Sequence, residues 1–242
     1  MGHLFFLKRT STRFLVHSEE VETETGSERG MLFRSTSWTM SVLESEPEAI
    51  IVNASGCGTM VKDYGHLFQH DRKHAEQAAQ VSRLTLDISE YLSMQNLGPP
   101  KRWSSIRVAY HSACSMQHGQ RVIAEPRKLL KKAGFAVIEV PEGHICCGSA
   151  GTYNLLQPEM SKSLRDRKVA NIELTKPDVI ATGNIGCIQQ IAGGTDIPVV
   201  HTVELLDWAY GGPCPRGLES LQFRVQDVPE GEVKTAARAA VG

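Results

Sequence analysis

Long apolar runs are missing from this sequence. None approaches the ~20 residues that a bilayer-spanning helix requires, so no transmembrane segment is expected. Excess charge is missing too. The chain carries 26 Lys and Arg against 27 Asp and Glu, a formal net charge of -1. It therefore lacks the field that draws proteins to nucleic acid or to anionic lipid. The short apolar stretch from Leu4 to Leu7 precedes Lys8 and Arg9. A secretory leader has the opposite order and a longer apolar segment, so the protein is expected to be cytoplasmic. Gly148-Ser-Ala-Gly151 is glycine-rich but has no phosphate-loop lysine, which argues against nucleotide binding. No Cys-x₂-Cys hook of the kind favoured by structural zinc sites occurs either.

Cysteine, by contrast, is present in number. Six cysteines in a chain with no export pattern are expected to be ligands, redox thiols or buried apolar residues rather than disulfides. Apolar residues make up 41% of the chain, enough for a real core.

The chain reads as four stretches. Residues 1–48 show no clear period, and the Ser-, Thr- and Glu-rich run over 18–29 is expected to be loosely ordered. Residues 49–100 open on Ala49-Ile-Ile-Val52, a continuous apolar run typical of a buried parallel strand. A small-residue turn through Cys57 follows, then helical spacing over 72–94. Gly98-Pro99-Pro100 is the expected boundary. Residues 101–212 alternate cleanly. Strands are expected at 106–110, 135–140, 179–181 and 198–201. Helices are expected from Glu125-Pro126 to Gly134, over 158–174, from near Cys187, and over 203–208. The alternation predicts an α/β fold with a parallel, doubly wound, Rossmann-like sheet. Residues 213–242, rich in Pro and charge, read as a tail. Ala49-Ile-Ile-Val-Asn-Ala-Ser-Gly-Cys57 parallels Val179-Ile-Ala-Thr-Gly-Asn-Ile-Gly-Cys187, which points to two related units, the first represented only by its last part.

Cys114, the Cys146–Cys147 pair and Cys187 each follow an expected strand, where open parallel sheets place their ligands. Convergence of the four is expected. Four thiolates at one point repel each other, and a cationic metal centre or a helix N-terminus would relieve that. Gly148, Gly186 and Gly58, beside these cysteines, are expected to let backbone N–H groups reach sulfur. Other readings stay open. A single Cys after a strand is often a small core residue, the best account of Cys214 and as good as ligation for Cys57. Four Cys could hold zinc, and Cys146–Cys147 could be a strained dithiol redox pair. His111, His118, His144 and His201 lie near strand ends and could tune or ligate the centre. Arg165, Arg167 and Lys168 form a basic helix face, most simply a solvated one.

Cys114, 31 intervening residues, Cys146-Cys147-Gly148, 38 residues and Cys187 resemble the cysteine-rich CCG domain. That domain occurs in heterodisulfide reductase subunits and in iron–sulfur subunits of flavin-linked 2-hydroxy-acid dehydrogenases. The wording around Asn53-Ala-Ser-Gly-Cys-Gly-Thr-Met-Val-Lys-Asp-Tyr-Gly65, Tyr110-His-Ser-Ala-Cys-Ser-Met-Gln-His-Gly119, Gly143-His-Ile-Cys-Cys-Gly-Ser-Ala-Gly-Thr-Tyr153 and Pro198-Val-Val-His-Thr-Val-Glu-Leu-Leu-Asp-Trp208 resembles the glycolate oxidase branch. The likeness runs from about Ile50 to Pro215. It implies an iron–sulfur cluster, [4Fe–4S] in type, on Cys114, Cys146, Cys147 and Cys187. It also implies flavoprotein partner subunits that carry FAD and oxidise glycolate to glyoxylate, and a quinone pool as acceptor. The location implied is cytoplasmic, or peripheral at the inner face of the membrane, and the chain alone would not be catalytic. The family's ferredoxin-like Cys-x₂-Cys-x₂-Cys motifs have no counterpart, and its closing Cys-x₂-Cys reads here Cys187-Ile-Gln-Gln190. The chain thus looks truncated at its N-terminus. A zinc-stabilised or metal-free interaction module, or a heterodisulfide-reductase-like thiol protein, is the alternative.

Overall fold

The computed structural model describes residues 4–7 and 42–229, and the expectation for residues 18–29 lies outside them. The chain divides into two compact units, residues 1–88 and 89–242. In the first, strands β1 (Leu4–Leu7), β2 (Ala49–Val52) and β3 (Thr85–Asp87) form one sheet in that order. β2 is buried along its whole length, as its unbroken apolar sequence requires. It runs parallel to β3 and antiparallel to β1. Leu4–Leu7 therefore joins the fold, in a segment expected to lie outside it. Between β2 and β3 run helices α1 (Ser55–Lys62), α2 (Tyr64–Leu67) and α3 (Ala75–Leu84). Ile50, Val61, Tyr64, Ala78 and Val81 make the core there, with Val42 and Leu43 packed against it.

Helix α4 (Ile88–Met94) spans the division between the units. The break thus falls before Gly98-Pro99-Pro100, because Leu92 and Leu97 already pack on the second unit's core.

The second unit carries a small antiparallel pair, β4 (Arg102–Ser104) and β9 (Val225–Asp227), and a four-stranded sheet. The strands of the latter are β5 (Arg107–Tyr110), β6 (Ala136–Ile138), β7 (Val179–Thr182) and β8 (Val199–His201). They lie in the order β6-β5-β7-β8, and every neighbouring pair is parallel. Side chains alternate between its two faces. Val108, Tyr110, Val179 and Ala181 enter one core with Leu129, Leu130, Leu205 and Trp208. Ala109 and Ile180 enter the other with Val169, Ile172 and Ile191. Helices α5 (Glu125–Lys132) and α9 (Thr202–Ala209) thereby cover the first face. Helices α7 (Pro158–Glu173) and α8 (Ile185–Ala192) cover the second. The short helix α6 (Tyr153–Leu156) precedes α7.

Local chemistry sets these elements. Pro126 sits in the first turn of α5, where the Glu125 carboxylate accepts from the backbone N–H groups of Ile123 and Ala124 at 3.1 Å. That helix ends at Gly134, whose φ of +91° suits the C′ position. The strand after it is shorter than expected, Ala136–Ile138.

The stretch beyond residue 212 is not a tail where it is described. Leu218 is fully buried, Leu221 and Val225 pack on the same core, and β9 pairs with β4. Arg102 Nε donates to Asp227 Oδ1 at 3.0 Å, and Val228 N donates to Lys101 O at 2.8 Å. Apolar residues spaced too widely for a helical or strand period hid this contribution. Leu218→Ala should lower the stability of this unit by ~3 kcal/mol in chemical denaturation; a substitution in a solvated tail would leave the transition where it was.

Candidate metal centre

Chain order explains where the cysteines meet. From β5 the chain crosses to β6 on one side, whereas β7 lies on the other. At such a reversal, adjacent crossovers leave on opposite faces and a crevice opens at the carboxyl ends of the two central strands. Cys114 follows β5 and precedes the π-helical turn Ser115–Gln120. Cys146 and Cys147 lie in the loop after β6, and Cys187 is in the first turn of α8 beyond β7. Cys147 Sγ is 3.3 Å from Cys187 Sγ. Cys146 lies within hydrogen-bonding reach of both Cys114 and Cys147. The structure thus brings the four expected cysteines together as a contiguous chain of sulfurs. None of the six cysteines is in a disulfide.

Contact between sulfurs forces a division of charge. Hydrogen bonds from Cys114 and Cys147 pull the Cys146 thiol well below its ordinary pKa. The Cys147 thiol likewise pulls Cys187 down, with His111 adding to the effect. Cys114 and Cys147 move the other way, each through its hydrogen bond to Cys146 and then burial or the neighbouring sulfur. Two of the four thiols thus shift down and two shift up.

Backbone dipoles support the accepting pair. Asn184 caps α8, its Oδ1 accepting from the N–H groups of Gly186 at 2.8 Å and Cys187 at 3.2 Å. Cys187 therefore sits at the positive helix end, as its position after a Gly-rich turn implied. Gly148 N donates to Cys146 Sγ at 3.3 Å, the role expected of it. Gly186 and Gly58 do otherwise: the first N–H goes to Asn184 and the second to Ala54 O at 2.9 Å.

Helix α7 anchors the cysteine loop. Gly148 has φ +90°, and a Cβ there would run into the Ser161 carbonyl oxygen. Ser161 Oγ donates to Gly148 O at 2.9 Å, and Gln190 Nε2 donates to Ser161 Oγ at 2.8 Å. Farther along α7, Lys168 is fully buried. Its Nζ donates to Glu142 O at 2.9 Å and Gly143 O at 3.4 Å. Burial pushes its pKa down, opposed by the charges of Cys114, Cys147 and Cys146. This corrects the reading of a solvated basic face. Arg165 and Arg167 pair with Asp166 and Glu142 near solvent, but Lys168 turns inward. Arg167 first, then Asn171, holds the Glu142 carboxyl well below the usual carboxylate range.

Of the four histidines, His111 alone is buried at this place; it is 2% exposed. One of its ring nitrogens and the Cys147 and Cys187 sulfurs lie within 4.8 Å of one another. His201 caps α9, its Nδ1 accepting from Val203 N at 3.1 Å. His118 and His144 are exposed. Cys57 is exposed on α1 in the first unit. Cys214 packs beside the core of the second, close to the role expected. Sequence reasoning missed Ser161 and Lys168. Their spacing with Val169 and Ile172 marks one helix face, but polar residues carry no apolar signal.

The cysteine-rich (CCG) domain family matches residues 108–192. The chain is similar to the glycolate oxidase iron–sulfur subunit of Escherichia coli, 40% identical over 69% of this chain and 41% of the relative. It is 32% identical to the probable glycolate oxidase iron–sulfur subunit of Bacillus subtilis, over 68% of this chain and 39% of the relative. It is 30% identical to lactate utilization protein A of Bacillus velezensis, over 67% of this chain and 71% of the relative. The chain therefore spans about two fifths of the length of the first two relatives.

Two glycine substitutions separate crowding from conformation. Gly148→Ala should cost ~3 kcal/mol by denaturation, since the new methyl displaces the Ser161 carbonyl. Gly151 also has positive φ, +64°, but open space around it; Gly151→Ala should cost about 1 kcal/mol. Equal losses would show that α7 does not press on the loop.

Proposed function

Because the chain belongs to the cysteine-rich CCG family that includes lactate utilization protein A and the glycolate oxidase iron–sulfur subunits, we propose that it is an iron–sulfur electron-transfer subunit. The observation that carries this is the meeting of four sulfurs from three strand-end loops at the reversal point of a parallel sheet.

The donor set fits such a group. Thiolates are the ligands of iron–sulfur clusters, and four of them without a cation would leave strong mutual repulsion. The orphaned Nε2 of buried His111 adds a further donor with no hydrogen-bond partner. In this reading Cys114, Cys146, Cys147 and Cys187 hold a cluster, of [4Fe–4S] type. The cluster supplies a one-electron store. The chain's own residues do the rest. Lys168 places a cation beneath the sulfurs, the α8 N-terminus adds a positive dipole, and Val169, Ile172, Ile180 and Ile191 keep water from the inner side.

The wider assignment follows the relatives' names. A flavoprotein partner carrying FAD would oxidise glycolate, or a related 2-hydroxy acid, to the keto product. This chain would pass electrons towards quinone and perform no proton abstraction itself. Among the described residues no helix is long and apolar enough to cross a membrane. We place the protein in the cytoplasm or against the inner face of the membrane, reached through its partners.

Anaerobic purification tests the proposal. Iron and acid-labile sulfide should co-purify with the chain, with a brown colour and an EPR signal on reduction. Zinc in their place, with a colourless protein, would favour a structural module instead. Cys187→Ser should lower bound iron several-fold, whereas Cys57→Ser should leave it unchanged. Equal iron loss from both would show that the four-cysteine assignment is wrong.

A further inference from the structure

His111 follows β5 directly, and its backbone N–H donates to Ala181 O at 2.9 Å. That bond extends the β5–β7 pairing one residue past Tyr110, so the imidazole is carried by the sheet itself rather than by a loop. The side chain is buried at the reversal point, in reach of Cys187. One ring nitrogen and the sulfurs of Cys147 and Cys187 lie within 4.8 Å of one another. The ring Nε2 is enclosed and has no hydrogen-bond partner. A buried ring nitrogen left unpaired is unfavourable. Imidazole binds iron and zinc readily as a neutral ligand.

We infer that His111 is a nitrogen ligand of this centre, binding iron alongside Cys147 and Cys187. The inference rests on the iron–sulfur reading above and deepens it. Two rigid elements present this nitrogen and one sulfur: the end of β5, which His111 directly follows, and α8, which carries Cys187. Cys147 is fixed to them from the loop pinned by Ser161 and Lys168. Beside the four thiolates a neutral nitrogen brings no further negative charge, and such mixed ligation makes a centre easier to reduce than thiolate ligation alone. The same place in the sheet explains why the other histidines do not serve: His201 spends its Nδ1 on the α9 cap, and His118 and His144 face solvent.

The test uses the full chain, reconstituted anaerobically with ferrous iron and sulfide, with its histidines labelled with heavy nitrogen. Pulsed EPR of the reduced protein should show a strong histidine-nitrogen coupling that changes with the isotope. The coupling should vanish in His111→Ala and in His111→Cys. The Cys variant supplies a thiolate in place of the ring, so it should retain iron and show a lower midpoint potential. A missing coupling, a weak one of the size a hydrogen bond gives, or one that survives in both variants would overturn the inference while leaving the iron–sulfur reading intact. Should the chain take up no iron and sulfide, that reading fails, and cobalt(II) alone then tests the ligand. A contact-shifted imidazole resonance lost in His111→Ala would uphold His111 as a ligand. Cobalt bound without that resonance, or no cobalt bound at all, would overturn it.

Discussion

Four sulfurs in contact cannot all be charged, and much of the second unit is arranged around that constraint. Contact divides the set by direction, Cys146 and Cys187 pulled below the ordinary thiol pKa and Cys114 and Cys147 pushed above it. Even that partition leaves negative charge in a largely apolar surrounding, which is costly unless neighbours oppose it. Three neighbours do so from three directions. The α8 N-terminus meets Cys187, the Gly148 N–H meets Cys146, and Lys168 sits behind the loop with its ammonium desolvated. A buried lysine is tolerable here for the same reason that the thiolates are, since each lowers the other's desolvation burden. Its two carbonyl partners, Glu142 and Gly143, use the remaining hydrogen-bonding capacity of the ammonium group.

The scaffold supplies convergence without proximity in sequence. Strand β5 and strand β7 are neighbours in space although they are separated by β6 and α7 along the chain. Their carboxyl ends deliver residues 111–114 and 184–187 to one crevice. The loop after β6 has no such guarantee, since β6 is the edge strand. Helix α7 provides it, through Ser161 on Gly148, Lys168 on residues 142 and 143, and Arg167 and Asn171 on the Glu142 carboxylate. The helix that seemed merely to cover the sheet is the part that holds the double cysteine in place.

Much of this was legible in the sequence. The apolar runs of β2, β5, β7 and β8, Pro126 at one end of α5 and Gly134 at the other, and the habit of cysteines following strands all carried their meaning locally. What was not legible depended on direction or distance. Lys168 looks like its neighbours Arg165 and Arg167, and only the turn of the helix decides that it faces inward. Gly186 was expected to donate to sulfur, but Asn184, two residues earlier, takes that N–H first. The pairing of β4 with β9 joins residues more than a hundred positions apart by a short segment with no distinctive pattern, and β1 against β2 is again a short, distant match, though a nearer one. Gln190, which stands where the related motif has its last cysteine, is taken up by Ser161 and so belongs to the loop's support.

The four sulfurs are also unequal in their access to solvent. Cys147 and Cys187 are enclosed, whereas Cys114 and Cys146 are partly exposed. The site therefore has a floor and a rim. Peroxide or dissolved oxygen therefore reaches Cys114 and Cys146 first. Oxidative damage to this site would begin at its rim, where one member of the cysteine pair stands and the other lies out of reach.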